Sequence, residues 1–553
     1  MRLPKDLAGI KFNELFFIEL NDFDVDMLLP AFFWMIRSGG KQRVESKERD
    51  PLLLQSKLAT HTNMMGFETS NGQRVLGKWL KTAVYQSRRA GRGRNAKVEV
   101  SYVKPLSYLV FKGPGPSGGS LRQTHLFLYD LLSRHCRSQG NERAFLDLVR
   151  DAFAKGLVIT DGMVKDGRYD GKTKVDVEVL LSMYFLDGLP GVKETVTRTG
   201  KPSEPVCPHA SRVLAEDVLR FLITYSNQLS PTAMANHLAS LLNFEFLLYT
   251  LNLCRGTNNL VKGADSPELS RQETPSRLDL YVDITQDRIG RSAALAQLCM
   301  NRDLEEAEAF LQSSLLLKTT AQLVTEHPDL QKELTAFSGC DRLRMLNDFR
   351  KNPDIESDAR ALLRKLRSSL SEQLDDGDEL PEEVSSCLDQ GPTALDRATN
   401  TLYFFQRKDA VGKVIKWIQS TGGLRRGDGI IEGNLRGRRV WRYSLSDQLL
   451  EVLCMIAAAN PEVQEASGTS SRLGFGPRPI LLSAFLDFLK RRYGILIAEP
   501  PAFEQGTESI AAAKDNLSAL RRRLRQLGLF QDLSDDFNAQ RIEPRYSRRD
   551  TKT

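Results

Sequence analysis

The sequence predicts a multidomain α+β protein with a mixed α/β N-terminal region, an α-helical middle and a C-terminal winged-helix-like region. Three observations support this fold class. The chain has 553 residues, which is more than one hydrophobic core accommodates. Apolar residues alternate as in strands near the N-terminus and recur at helical spacing after residue 211. Beyond residue 400, two stretches combine apolar helical patterns with a short hairpin pattern.

The N-terminal region, residues 1–205, is expected to be a mixed α/β domain. Residues 96–103 alternate between apolar and polar side chains and predict a strand, as do residues 174–181. Between them, a helix is predicted around residues 126–132, with Thr124 as its N-cap.

The middle, residues 206–372, is expected to be an α-helical domain. Apolar residues keep helical spacing in residues 213–222, 236–251 and 303–324, and few Gly or Pro interrupt them. Residues 373–395 are acidic and turn-rich and predict an exposed linker.

Residues 396–546 predict a winged-helix-like region, either one unit or two in tandem. The first pattern has a hairpin at residues 430–443, turning at residues 434–437, and then a helix capped by Ser446. The second has a helix closed by Gly494, a helix over residues 510–527 and two strands in residues 529–542. The tail, residues 547–553, is expected to be disordered.

Charge is distributed unevenly along the chain, although the formal net charge is only +7. Residues 1–100 contain 17 basic and 11 acidic residues, and residues 401–553 contain 25 basic and 17 acidic residues. The middle contains 35 basic and 42 acidic residues. The two ends are therefore the expected contact regions for a polyanion.

Clusters of arginine at the two ends are the candidate nucleic-acid-binding residues. They are Arg88, Arg89, Arg92 and Arg94 in an N-terminal Arg/Gly loop, Arg436, Arg438, Arg439 and Arg442 on the first hairpin, and Arg521, Arg522 and Arg525 on the last helix. A guanidinium group donates two hydrogen bonds to one phosphate and stays charged. Trp441 and Tyr443 beside the hairpin predict some base stacking. The same arginines also have explanations without nucleic acid. They are typical of a solvated helix face, of an edge strand protected by charge, or of a surface that binds an acidic protein.

Sequence motifs for catalysis, cofactors or metals are absent. The seven cysteines contain no CxxC pair, and the six histidines contain no pair at helical spacing. Residues 167–173 resemble a phosphate-binding loop but have one residue too few between the glycines. We therefore expect no cofactor and no metal. Two carboxylate pairs, Asp176 with Glu178 and Asp279 with Asp283, leave a divergent metal-dependent nuclease as an alternative.

The expected location is the cytoplasm, without a membrane association. The apolar run at residues 27–36 is short, contains Pro30 and lacks the basic flank of a signal peptide. No window reaches the roughly 20 apolar residues that a spanning helix needs. The spacing of the cysteines favours reduced, buried thiols.

Residues 1–11, 278–284, 521–530 and 542–546 resemble large subunits of bacterial anti-phage defence operons. The resemblance is closest to an accessory subunit of the methylation-associated defence system, whose operons combine a DNA methyltransferase, a specificity subunit, an ATPase and accessory proteins. It implies an intracellular protein that works on or near DNA with other defence-operon proteins, and it assigns no catalytic residue.

The resemblance and the charge pattern together predict a non-enzymatic subunit that binds double-stranded DNA and assembles with partner proteins. The acidic helical middle is the expected docking region for those partners. The divergent nuclease and a scaffold that binds only proteins remain alternatives.

Overall fold

The first helix of the chain is buried along most of its length, because residues 27–36 are nearly all apolar. The computed structural model describes residues 1–3, 9, 12, 15, 19–37, 40, 43–44, 49–60, 65–90, 96–103, 121–156, 169–175, 195–196, 204–272, 274–375, 379–463, 473–531 and 540–546. Its N-terminal elements are α1 (Val25–Arg37), β1 (Arg43–Val44), α2 (Pro51–Ala59), α3 (Ser70–Trp79), β2 (Tyr85–Ala90), β3 (Lys97–Val103), α4 (Thr124–Ser138), α5 (Ala144–Phe153) and β4 (Thr195–Val196).

Two N-terminal predictions are confirmed and one is wrong. The strand predicted at residues 96–103 is β3, and the helix predicted around residues 126–132 is α4. Thr124 is not the N-cap of α4. That position belongs to Gln123 with a left-handed φ of 64°, while the Thr124 hydroxyl donates to the Leu121 carbonyl. Most of the strand predicted at residues 174–181 lies outside the described residues.

The middle of the chain is helical, as predicted. Its elements are α6 (Pro208–Tyr225), α7 (Pro231–Lys262), β5 (Leu280–Tyr281), α8 (Arg291–Val324), α9 (Pro328–Thr335), α10 (Gly339–Phe349), α11 (Pro353–Ser371), α12 (Glu382–Asp389) and α13 (Ala394–Thr421). Ser230 caps α7 by accepting from the Ala233 N–H, and Gly263 ends the helix with a φ of 73°.

The C-terminal part alternates helices with short strands. Its elements are β6 (Ile431–Asn434), β7 (Gly437–Tyr443), α14 (Asp447–Ala458), β8 (Ala459–Val463), β9 (Leu473–Pro477), β10 (Ile480–Leu481), α15 (Leu482–Tyr493), β11 (Ile495–Leu496), α16 (Thr507–Gln526), β12 (Phe530–Gln531) and β13 (Arg541–Ile542). Strands β12 and β13 are antiparallel, and β13 also pairs with β10, so the strand order is β10-β13-β12. Ser446 caps α14 as predicted, since its hydroxyl accepts from the Leu449 N–H at 3.1 Å.

A segment from the helical middle lies between C-terminal strands. β5 pairs in parallel with β11, and the Asp283 N–H donates to the Tyr443 carbonyl at the end of β7. The buried side chain of Asn516 fastens α16 to this junction. Its amide accepts from the Ile284 N–H at 2.7 Å and donates to the Val282 carbonyl at 2.7 Å.

The hydrophobic core contains buried residues from Phe12 to Ile542 in one cluster. A smaller cluster joins α11, α12 and α13 through residues such as Leu366, Leu388 and Leu402. The described residues form sixteen α-helices and several small sheets, so the mixed α+β class is confirmed. The boundaries at residues 205, 372 and 395 stay predictions, and α12 begins within the predicted acidic linker.

Candidate nucleic-acid interface

The β6–β7 hairpin is held to the protein by a buried tryptophan. Asn434 pairs with Gly437, so Leu435 and Arg436 form the turn that the sequence predicted. The Trp441 indole N–H donates to the Asn434 carbonyl at 2.8 Å. Gly433 has a φ of 154°, and a Cβ there would lie 2.6 Å from Cδ1 of Trp441. Only glycine therefore lets the strand pass this close to the ring.

Three arginines of this hairpin are exposed to solvent. Arg436, Arg438 and Arg439 all lie on the outer part of the hairpin. Among the described side chains, no carboxylate forms an ion pair with any of the three. The backbone carbonyl of Arg439 accepts from the Gln297 amide of α8, which fixes the strand but leaves the guanidinium free. These three side chains can therefore reach an external anion.

Arg442, the fourth arginine predicted on this hairpin, faces inward. Its side chain is 7% exposed, with Nε 3.4 Å from Asp283 and Nη2 2.8 Å from Glu432. Asp283 and Glu432 already neutralise its charge, so Arg442 is not available to an external anion.

The prediction that Trp441 and Tyr443 stack on bases is wrong. Both rings are fully buried, with exposed fractions of 1% and 0%. The Tyr443 hydroxyl donates to Asp303 at 2.8 Å. Burial raises the pKa of Asp303, while Arg302 and Arg255 beside it act to lower that pKa. Tyr443 and Asp303 thus belong to a polar network inside the protein.

The arginines of α16 differ in exposure along the helix. Arg522 is exposed, Arg525 is exposed with its guanidinium 5.8 Å from the centre of the Phe530 ring, and Arg521 is half-buried. Arg523 is buried, and its Nε donates to Asp447 at 2.6 Å, which joins α16 to α14. The exposed arginines occupy the C-terminal half of the helix.

The N-terminal arginines are only partly described. Arg88 on β2 lies opposite Glu99 on β3, with Nη2 and Oε2 3.6 Å apart. Arg89 is exposed on the same strand. Arg92 and Arg94 lie outside the described residues.

The carboxylates proposed for a nuclease do not form a metal site in the part of the chain that the structure describes. No group of three or more His, Cys, Asp or Glu side chains there is arranged to hold a metal ion. Asp283 is fully buried, pairs with Arg442 and accepts from the Thr285 hydroxyl at 2.7 Å. Asp176 and Glu178 lie outside the described residues.

Comparison with known proteins identifies the family. A family model described as methylation-associated defense system protein MAD7 matches residues 5–546. The chain belongs to this family. The match covers nearly the whole chain and confirms the resemblance that four short segments indicated. No curated protein and no solved structure matches the chain.

Membership of the MAD7 family supports a role in anti-phage defence associated with methylation and implies other proteins of the system as partners. Within the described residues, no helix is long and apolar enough to cross a membrane.

Sequence reasoning missed three exposed basic residues in this family member, Arg74, Lys78 and Lys81. They lie at the spacing of one helix face, on α3 and the π-helical turn after it. The sequence did contain a signal for this basic surface, because residues 70–97 contain no Asp or Glu. The prediction named only the Arg/Gly loop that follows, because arginines among glycines are the more obvious nucleic-acid-binding pattern.

Proposed function

We propose that this chain is a non-enzymatic subunit of the methylation-associated defence system that binds double-stranded DNA and assembles with other proteins of the system. The observation that carries the proposal is the row of exposed arginines, Arg436, Arg438 and Arg439, which have no carboxylate partner among the described residues. They lie on a hairpin whose Trp441 is buried in the core. An arginine without a carboxylate partner gives up no ion pair when it binds a phosphate. Each such contact releases condensed counterions from the DNA.

The C-terminal topology supports a winged helix in this proposal. Helix α14, strand β10 and helices α15 and α16 precede the antiparallel pair β12 and β13, with β13 in the middle of the sheet. A winged helix has this order of elements. Two features differ. Strands β8 and β9 lie between α14 and β10, and residues 494–506 between α15 and α16 are longer than the usual turn of about 3–4 residues and include β11.

The two halves of α16 have different roles in the proposed complex. In its N-terminal half, Glu508 and Asp515 lie 3.3 and 3.1 Å from Arg291 of α8. Carboxylates on this half would repel a phosphate backbone. We therefore assign phosphate contacts to the C-terminal half, through Arg522 and Arg525. This helix positions the DNA and does not read bases.

Assembly is assigned to the acidic helical middle. Exposed carboxylates lie in the first turn of α11 and at the start of α12, among them Asp354, Glu382 and Glu383. They offer a surface that repels DNA and attracts basic partner proteins, so the two ligands would be bound at separate places.

The test compares the parent protein with a variant carrying Arg436→Gln, Arg438→Gln and Arg439→Gln. Affinity for a labelled duplex is measured at several salt concentrations. We expect the variant to bind more weakly, with a log–log salt slope smaller by about 2 to 3, because each lost phosphate contact removes about 0.9 from the slope.

The control carries Arg360→Gln, Arg364→Gln and Arg367→Gln on α11, which removes the same number of charges from an exposed helix of the acidic middle. This control should bind like the parent. A parent protein without affinity for duplex DNA even at low salt would contradict the proposal and favour the protein-only scaffold. Plasmid cleavage by the parent with Mg²⁺ or Mn²⁺ would instead favour the nuclease.

A further inference from the structure

The N-terminal elements follow one another in the order of a winged helix-turn-helix. A buried helix α1 and a short strand β1 precede the helix pair α2 and α3, which leads through the π-helical turn Leu80–Val84 into the hairpin of β2 and β3. Strand β1 pairs with β4 and is not part of the sheet that the hairpin forms. The chain entering α2 lies beside β3. The Arg49 carbonyl accepts from the Val100 N–H at 2.9 Å, and the Arg49 guanidinium donates to the Val100 carbonyl at 3.3 Å.

Close packing fixes the orientation of α3 on α2. Gly77 faces α2, where a Cβ would lie 2.5 Å from Oε1 of Gln55. The Gln55 amide donates to the Gln73 carbonyl at 2.8 Å, which ties the two helices at the same crossing. Leu76 and Leu80 point into the core with exposed fractions of 1% and 0%. One face of α3 is therefore buried, and the opposite face is directed to solvent.

That outer face is basic. Arg74, Lys78 and Lys81 are all exposed, at positions i, i+4 and i+7. In the described part of the chain, no carboxylate is paired with any of them. The surrounding residues 70–97 contain eight basic residues and no acidic residue. No acidic residue between residues 70 and 97 is therefore present to neutralise this face.

We propose that α3 enters the major groove of double-stranded DNA and that the β2–β3 hairpin contacts the adjoining backbone. This inference rests on the proposed function and adds a second binding face at the other end of the chain. The three cations span about 10 Å of helix at 1.5 Å per residue. The major groove is about 12 Å wide, so cations along the helix reach phosphates at its edges. Arg89 and Lys97 are exposed on the hairpin for the flanking contacts.

The same face of α3 carries groups that can touch base edges. Asn71 lies in the first turn and is exposed, with its Oδ1 accepting from Arg74 at 2.9 Å. Val75 is 49% exposed between the basic residues. An amide can pair with adenine, and an apolar side chain can contact a thymine methyl group in the major groove. These groups favour a duplex ligand over an anionic membrane surface.

The test uses the full chain with Arg74→Gln, Lys78→Gln and Lys81→Gln. The matched control is the α11 variant with Arg360→Gln, Arg364→Gln and Arg367→Gln, which has the same i, i+4, i+7 spacing. Affinity for a labelled duplex is measured across a salt series. We expect the α3 variant to bind at least about tenfold more weakly at moderate salt, with a slope smaller by about 2 to 3. The control should match the parent.

Two further measurements separate the possible outcomes. A variant with Arg74→Lys alone keeps the charge and should keep the salt slope. Circular dichroism and thermal unfolding of the α3 variant should match the parent, since all three side chains are exposed.

If the parent and the β6–β7 hairpin variant behave as proposed but the α3 variant binds DNA like the parent, the inference about α3 is overturned and the proposed function stands. If the parent binds no duplex, the proposed function itself fails. Equal affinity of the α3 variant and the parent for duplex, with loss of binding only to single-stranded DNA or to anionic vesicles, also overturns the groove assignment.

Discussion

At the scale of single residues, the arginines of this chain fall into two groups that sequence composition does not distinguish. Arg492 shows the first group. Its guanidinium lies 2.7 Å from the fully buried Asp217 and 3.0 Å from Glu216, and the Tyr493 hydroxyl donates to the same aspartate at 2.6 Å. Arg438 shows the second group, exposed and without a carboxylate partner among the described residues. The first group holds the protein together, and the second is available to a ligand.

Replacing Arg492 by Ala is expected to lower the free energy of unfolding by about 3 to 5 kcal/mol, because Asp217 would remain buried without its partner. The neighbouring substitution Arg491→Ala serves as control. Arg491 is exposed and pairs with Asp487 on its own helix, so its loss should cost at most about 1 kcal/mol. Chemical denaturation of both variants measures the difference. Equal stability of the two would show that the buried pair does not fasten α15 to α6.

A buried histidine predicts a dependence of stability on pH. Burial lowers the pKa of His125 from 6.5 to about 4. The folded state therefore binds its proton less readily than the unfolded chain. The contribution of His125 to the free energy of unfolding is complete above pH 6.5 and is lost as the pH falls towards 4. The total loss is about 3 kcal/mol.

The variant His125→Phe should remove this part of the pH dependence. The measurement is the free energy of unfolding of parent and variant at a series of pH values. Parallel curves for the two proteins would contradict the assignment to His125.

At the scale of elements, Asn516 shows how one polar side chain positions a helix. It joins α16 to the backbone of residues 282 and 284, and it also donates to the Ile497 carbonyl at 3.1 Å. Without it, these buried backbone groups would lack partners.

The substitution Asn516→Ala is expected to destabilise the protein by about 3 kcal/mol, since each unsatisfied buried group costs about 1 to 3 kcal/mol. Ser518→Ala, on the exposed face of the same helix, should be nearly neutral. Denaturant titration of the two variants provides the comparison. A neutral effect of Asn516→Ala would mean that α16 is held by its apolar face alone.

The arginines of α16 allow a separate test of the proposed DNA contact. Joint replacement of Arg521, Arg522 and Arg525 by Gln should flatten the salt dependence of duplex binding. Arg523→Gln should instead lower the melting temperature with little effect on the salt dependence, because Arg523 is buried against Asp447. If the triple variant binds DNA like the parent at every salt concentration, α16 is not part of the interface.

Local patterns predicted the elements well. The hairpin of β6 and β7, the cap at Ser446 and the end of α15 at Gly494 all depend on residues within a few positions of one another. Local patterns could not predict that Trp441, Tyr443 and Arg442 are buried. Their partners Asn434 and Glu432 are local, but Asp303 and Asp283 come from the helical middle.

At the scale of the whole molecule, the structure divides the basic residues of the two ends into those that pair inside the protein and those that are exposed. Some arginines of the basic C-terminal end pair with carboxylates of the protein itself. They are Arg442, Arg492 and Arg523, which neutralise buried or interface carboxylates. The partners Asp217 and Arg492 are 275 residues apart, which no pattern along the chain reveals. Other basic residues are exposed on the β6–β7 hairpin, the end of α16 and the outer face of α3.

The most direct test of the proposed function is the affinity of the full-length protein for duplex DNA as a function of salt concentration. We predict that the logarithm of the binding constant falls linearly with the logarithm of the salt concentration, and that replacing Arg436, Arg438 and Arg439 by Gln reduces the slope by about 2 to 3. Absence of binding at low salt, or an unchanged slope in that variant, would contradict the assignment of DNA to this surface.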